Sequence, residues 1–243
     1  LSCESEEDAP ILPLFEVVEA SETGISFSNR LRESATQNVL TYEYYYNGAG
    51  LAVADFNQDE YPDLYFVSNL EANQLYLNQG NFKFQEVAKI SQVQGRRSFD
   101  TGVSIVDINV DGRMDIYLCR SGRFTDPNFR RNALFVNQGN DENGVPIFEE
   151  QAQQYGLDIA AYSTQATFFD YDKDGDLDLF LINHDIDTYD IANIESLRNQ
   201  QSDLVGEMLF RNDNQYFTEV TQEAGIINNR LEFGLGLAVG DLN

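Results

Sequence analysis

The sequence is poor in the side chains that most catalytic and nucleic-acid sites need. It has one histidine, His184, and two cysteines, Cys3 and Cys119. His184 opens the segment "HDIDTYDIANIESLRNQQSDLVG" and joins no serine–aspartate constellation identifiable in the chain. The patterns G-x-S-x-G, H-E-x-x-H and the P-loop do not occur. Basic residues are scarce as well, 15 Lys and Arg against 41 Asp and Glu, for a formal charge of −26. Such a balance argues against nucleic acid as a partner, because phosphate backbones are gripped by Lys/Arg patches. No apolar run reaches 18 residues, so no membrane-spanning helix is expected. The two cysteines have no spacing that supports a disulfide, and Cys119, in "IYLCRSG", reads as a small buried apolar residue.

Aspartate, by contrast, is abundant and in register. Residues 170–180 read "DYDKDGDLDLF", with Asp170, Asp172, Asp174, Asp176 and Asp178 at every second position. Like charges this close repel unless a proton or a cation lies between them. The pattern recurs as "DFNQDEYPDLY" (55–65) and "DINVDGRMDIY" (107–117), and Asp241 and Asn243 begin it a fourth time. Counting the first Asp as position 1, oxygen ligands stand at position 1 (Asp55, Asp107, Asp170), position 3 (Asn57, Asn109, Asp172), position 5 (Asp59, Asp111, Asp174) and position 9 (Asp63, Asp115, Asp178). Position 6 is Gly112 and Gly175, but Glu60 in the first copy. Position 7 is Tyr61, Arg113 or Asp176, a variability that fits a backbone-carbonyl ligand. A hard cation such as Ca2+ demands this donor set. One copy alone is equally well an Asx-rich turn; three complete copies and the start of a fourth favour calcium, about one ion per loop. An EF-hand is excluded, because position 12 is Phe66, Leu118 or Leu181 rather than Glu, and the flanks are strand-like rather than helical.

The repeat extends beyond the loops. Strand-like segments precede each one ("GLAVAD", "GVSIVD", "QATFFD") and follow it ("DLYFVSN", "DIYLCRS", "DLFLINH"). A third strand comes next, at 73–80, 132–139 and 207–214, then a fourth at 82–87, 146–151 and 216–221. Small residues in the first strands (Ala52, Ser104, Thr167, Ala238) and a leading Gly50, Gly102 or Gly236 suit strands crowded near an axis. Four-stranded antiparallel units around an axis make an all-β β-propeller. About three and a half blades are expected here, the last residues lying inside a fourth repeat of a longer chain. The long connections 120–131 and 184–206 join strands two and three, so they are expected on the face opposite the acidic loops, with a short helix in "IANIESLRNQ". The segment 13–27 resembles a fourth strand and its exit, like 216–226. Tyr42, Tyr44, Tyr45 and Tyr46 read as packed or rim aromatics.

The stretch "GLAVADFNQDEYPDL" (50–64) and its copies resemble the FG-GAP, or VCBS, repeats of integrin α-subunit propellers. The added "N-x-L-[YF]-x-N-x-G" and "F-x-E-V" segments are closer to cartilage acidic protein and its bacterial relatives. The resemblance covers residues 13–243. It implies a seven-bladed ring when complete, calcium in the loops between strands one and two, and adhesion or binding rather than catalysis. It carries the ligand roles above onto Asp55, Asn57, Asp59, Asp63 and their counterparts, with the carbonyls of Tyr61, Arg113 and Asp176 completing the sites. Glu60 and Pro62 depart from the pattern and put the first site in doubt. The start, "LSC" followed by "ESEED", resembles a bacterial lipobox and acidic export signal, which implies lipidation of Cys3 and an acidic tether over 1–12.

Three functions follow as expectations. The first is a calcium-stabilised lipoprotein anchored in the outer membrane, facing outward, that binds a transporter, a secretion component or a glycan. The second is a polysaccharide-binding or -degrading enzyme on the same propeller; the chain's poverty in catalytic groups makes a non-enzyme the expected class. The third, a calcium sensor, needs a switching helix pair that these strands do not provide.

Overall fold

The computed structural model describes residues 14–187, 192, 194–198 and 200–240, and in it each acidic loop joins two strands of a four-stranded antiparallel sheet. The first sheet holds β1 (Leu51–Ala54), β2 (Asp63–Phe66), β3 (Gln74–Asn78) and β4 (Phe84–Glu86). The second holds β5 (Phe99–Val106), β6 (Asp115–Ser121), β7 (Ala133–Asn140) and β8 (Pro146–Glu150). The third holds β9 (Ser163–Phe169), β10 (Asp178–Asn183), β11 (Met208–Asn212) and β12 (Phe217–Glu219). Within each sheet spatial order equals chain order, an up-and-down meander. These are β-propeller blades.

The small residues of the first strands now have a physical reason. Ala52 lies opposite Tyr65, Ser104 opposite Tyr117, and Thr167 opposite Phe180. Each small side chain leaves room for the aromatic across the ladder. The strands β5 and β9 also meet side by side between blades. Ser104 Oγ donates to the Ala166 carbonyl at 2.6 Å, and Thr101 Oγ1 to the Ser163 carbonyl at 2.7 Å. A Cβ on Gly50 would sit 2.7 Å from Val103 Cγ1, and one on Gly102 would overlap the Thr164 carbonyl oxygen. Glycine is therefore required where backbones of adjacent blades touch.

The core consists of the two layers between the three sheets. Every residue of β6 is buried, and alternation sends its side chains to opposite faces. Ile116 and Leu118 pack with Tyr65, Leu75 and Phe135 against the first sheet. Tyr117 and Cys119 pack with Leu134, Leu179 and Phe210 against the third. Cys119 is thus the buried apolar residue expected, with its thiol pKa pushed up by burial.

The expected third and fourth strands all form, β7 at its full length shifted by one residue and the others shorter by a few residues at their ends, and the short helix appears as Ile194–Leu197. Two expectations differ in detail. Among the described residues, 14–19 pair with no strand; only the exit of that segment forms, as a helical turn at Ala20–Thr23 ended by left-handed Gly24. The fourth repeat does not open as a ladder: Phe233 bridges His184, and the Gly234 carbonyl accepts from Thr164 Oγ1 at 2.8 Å. Cys3, the tether 1–12, Asp241 and Asn243 lie outside the described residues.

The connections sort onto two faces. Gln58 Nε2 donates to the Gly112 carbonyl, so the first two acidic loops touch. Asn140 and Asn137, from the end of β7 that leads into the turn to β8, donate to the carbonyls of Asn57 and Phe56. Loops one–two and turns three–four therefore share one face. At the other end, Ser121 and His184, each leading into a connection between strands two and three, are within hydrogen-bond reach at 2.9 Å.

Candidate functional site

Three acidic loops repeat one hydrogen-bond scheme. The position-1 carboxylate folds the loop back on itself: Asp55 accepts from the N–H groups of Asp59 and Glu60, Asp107 from Asp111 and Gly112, and Asp170 from Lys173 and Gly175. The position-5 carboxylate accepts from the amide of position 7, Asp59 from Tyr61, Asp111 from Arg113 and Asp174 from Asp176. Two residues in each loop take left-handed backbone. Position 4 does so at Gln58, Val110 and Lys173, and position 6 at Glu60, Gly112 and Gly175. Glu60, at φ 71, thus holds the same turn as its glycine counterparts. The backbone of the first loop is not distorted by it.

Position 9 points inward. Asp63, Asp115 and Asp178 are fully buried. One oxygen of each accepts from the amide of position 2 (Phe56, Ile108, Tyr171) and the other from the amide of an asparagine in strand three (Asn78, Asn137, Asn212). Each carboxylate therefore joins loop, strand two and strand three. Burial pushes Asp63 and Asp115 up to about 6 against the pull of those amides, and raises Asp178 as well.

Positions 1, 3 and 5 converge at the surface. In the third loop one oxygen each of Asp170, Asp172 and Asp174 lies within 4.8 Å of the others; Asp178 is not in that group. Asp176 is pushed up to about 6 by desolvation and by the neighbouring Asp174 carboxylate. In the first two loops Asn57 and Asn109 donate to Asp59 and Asp111, at 2.9 Å each. The second loop has a cation of its own, because Arg113 pairs with Asp111 at 2.6 Å. Two buried oxygens, Asn57 Oδ1 and Asp176 Oδ1, have no hydrogen-bond donor among the described residues. Lone pairs left unmet in an acidic loop are the condition a bound divalent cation satisfies, and the donor set fits one.

Residues 55–118 match the FG-GAP-like repeat family. The matched FG-GAP-like segment runs from the first loop through the second and into β6, and the third loop repeats the same scheme beyond it. No curated protein matches the chain.

The opposite face carries a cluster that the sequence pattern did not disclose. Tyr42 OH donates to Ser121 Oγ at 3.0 Å, and His184 Nε2 lies 2.9 Å from Ser121 Oγ and 3.1 Å from Tyr42 OH. Tyr44 stacks on the imidazole, ring centres 3.9 Å apart. All but Tyr44 are buried, and His184 Nδ1 has no hydrogen-bond partner among the described residues. Burial lowers the His184 pKa to about 4, so the ring is neutral at physiological pH. The cluster borders a cavity of about 430 Å3 between β5, β9 and the Gly48–Gly50 backbone. The tyrosines act as expected of packed and rim aromatics: Tyr45 is buried, and exposed Tyr46 donates to Glu33. The three partners are remote in sequence and share no spacing, so only the long 184–206 insertion, already set apart as a loop on this face, pointed toward them.

Proposed function

We propose that this chain is part of a calcium-stabilised propeller, lipid-anchored at the bacterial surface, that serves as a binding or accessory module for an outer-membrane protein complex. The observation that carries the reading is the threefold recurrence of one acidic loop on one face of FG-GAP-like blades, two of them within the matched segment. Calcium in these loops is structural: it neutralises the carboxylates at positions 1 and 5, and at position 3 in the third loop, and fixes the hairpin. Extracellular modules hold it with a Kd of about 10⁻⁴ to 10⁻³ M. That leaves the face with the long connections for a partner.

Full-length protein purified from its native membrane in calcium should retain a membrane-protein partner, and R123E with F124A in the 120–131 connection should release it. A partner held equally by that variant, or by none, contradicts the reading. Mass spectrometry of the N-terminal peptide should find a diacylglyceryl group on Cys3; an unmodified thiol in mature protein contradicts the anchor.

One observation favours an enzyme as the second reading: the Ser121–His184 contact has the length of a nucleophile–base pair. Two others weigh against it. Ser121 is fully buried, and no described carboxylate reaches His184 Nδ1 to orient such a base. Hydrolysis of a polysaccharide or ester by the wild type that is lost in S121A would establish this reading over the first.

A further inference from the structure

Arginine is distributed unevenly over this acidic molecule. Seven of its described arginines are held by carboxylates, backbone carbonyls or a ring, whereas Arg30, Arg32, Arg96 and Arg97 form no ion pair with any described carboxylate. These four line a single open cavity of about 440 Å3. Glu71 lines it too, outside ion-pair reach of all four. In a chain of net charge −26, three guanidinium groups without a described carboxylate, and a fourth, Arg96, held only by the carbonyls of Asn128 and Arg131, are not explained on one cavity by solubility. Arg96 also borders a second cavity, of about 490 Å3, with Arg120 and Arg131. Those two are already committed, Arg120 to buried Asp100 at 2.8 Å and Arg131 to Asp158 at 2.7 Å. Desolvation and these two neighbouring cations lower the Arg96 pKa.

We propose that this arginine groove binds an acidic polysaccharide, holding its uronate carboxylates or sulfate groups with the guanidinium forks of Arg30, Arg32, Arg96 and Arg97. The proposal rests on the binding-module reading and names its ligand class. Guanidinium presents paired donors that match carboxylate and sulfate oxygens. The two cavities meet at Gly95 and Arg96, which suits a chain-like ligand better than a lone ion. Neutral amides line both cavities, Gln37 in one and Gln92, Gln94 and Gln153 in the other, and amides suit hydroxyl-rich ligands; the second cavity also carries Glu150 and Asp158, so the anionic groups of the ligand belong in the first. No aromatic side chain lines the four-arginine cavity, so it offers no platform on which bases would stack. An acidic peptide would find few apolar pockets for its other side chains, the apolar lining being Leu70, Ala72 and Phe135.

Calorimetric titration of the full chain in calcium tests this with oligogalacturonate, dextran sulfate, neutral dextran, polyglutamate and oligothymidylate. One or both acidic glycans should bind, more weakly as salt is added, and neutral dextran should not. The two glycan arms distinguish uronate from sulfate. R32Q and R97Q, both on exposed side chains, should each weaken binding on the order of tenfold, R30Q likewise, while R211Q on the acidic-loop face should bind as wild type. Thermal melts identical to wild type confirm that the variants fold. Failure of both acidic glycans to bind, tighter binding of polyglutamate or oligothymidylate, or full affinity in the R32Q/R97Q double variant overturns the proposal. If the membrane partner is still captured while no acidic glycan binds, this inference falls and the binding-module reading stands.

Discussion

The position-9 aspartates carry more of the fold than their place in a ligand series suggests. Asp63 satisfies the amides of Phe56 and Asn78 in a site with no water access, so its removal leaves two buried donors unmet. D63A should cost on the order of 2–4 kcal/mol in denaturant unfolding, even in EDTA, and D63N about half as much because one acceptor survives. A D63A protein as stable as wild type in EDTA would show the residue to be a metal ligand only. His184 gives a pH dependence whose sign follows from its folded pKa of about 4. The unfolded chain binds a proton near 6.5 that the folded chain refuses, so stability is lost as pH falls from about 6.5 toward 4. The loss reaches about 3 kcal/mol for the shift cited. Asp63 and Asp115 titrate in the same window with the opposite sign, since their folded forms bind protons more readily. The difference between wild type and H184Q removes that background, and wild type should lose ground to the variant steadily across the window. A constant difference would contradict the buried neutral ring.

At the scale of elements, the blade seam predicts unequal responses from glycines that look alike in sequence. Gly102 has ordinary backbone, yet a Cβ there overlaps the neighbouring blade at Thr164. G102A should destabilise by more than about 2 kcal/mol. Gly112 faces open space and has φ +83, so G112A should cost only about 1 kcal/mol. Thermal or urea melts of the pair check the order, and a reversed order would contradict side-by-side inner strands. The loops and strands were legible from residue spacing because each depends on nine consecutive positions and a period-two flank. Even Glu60 could be placed once its backbone was seen to match that of Gly112 and Gly175. The left-handed Val110 was not legible, because nothing in its side chain announces the turn that the surrounding aspartates impose.

Across the whole molecule, what the sequence withheld was assembled from distant segments. Ser121 and His184 stand 63 positions apart. The arginine groove gathers two residues from the irregular N-terminal stretch and two from the link between β4 and β5. No local period encodes either cluster. The expected strand at the start of the 13–27 segment was read from likeness to 216–226, but its described residues find no partner strand. The acidic loops and the long connections between strands two and three are nevertheless on separate faces as the repeat order demanded, because a meander fixes which connections share an end.

The central claim is that divalent ions hold these loops and thereby the blades. Calorimetric titration of EDTA-stripped chain with calcium, paired with a thermal melt at each end point, tests it most directly. The account predicts uptake of about one ion for each of the three described loops, with a Kd of about 10⁻⁴ to 10⁻³ M, and a melting temperature that rises with calcium and falls again on adding EDTA. Absence of binding heat together with an unchanged melting temperature would contradict it.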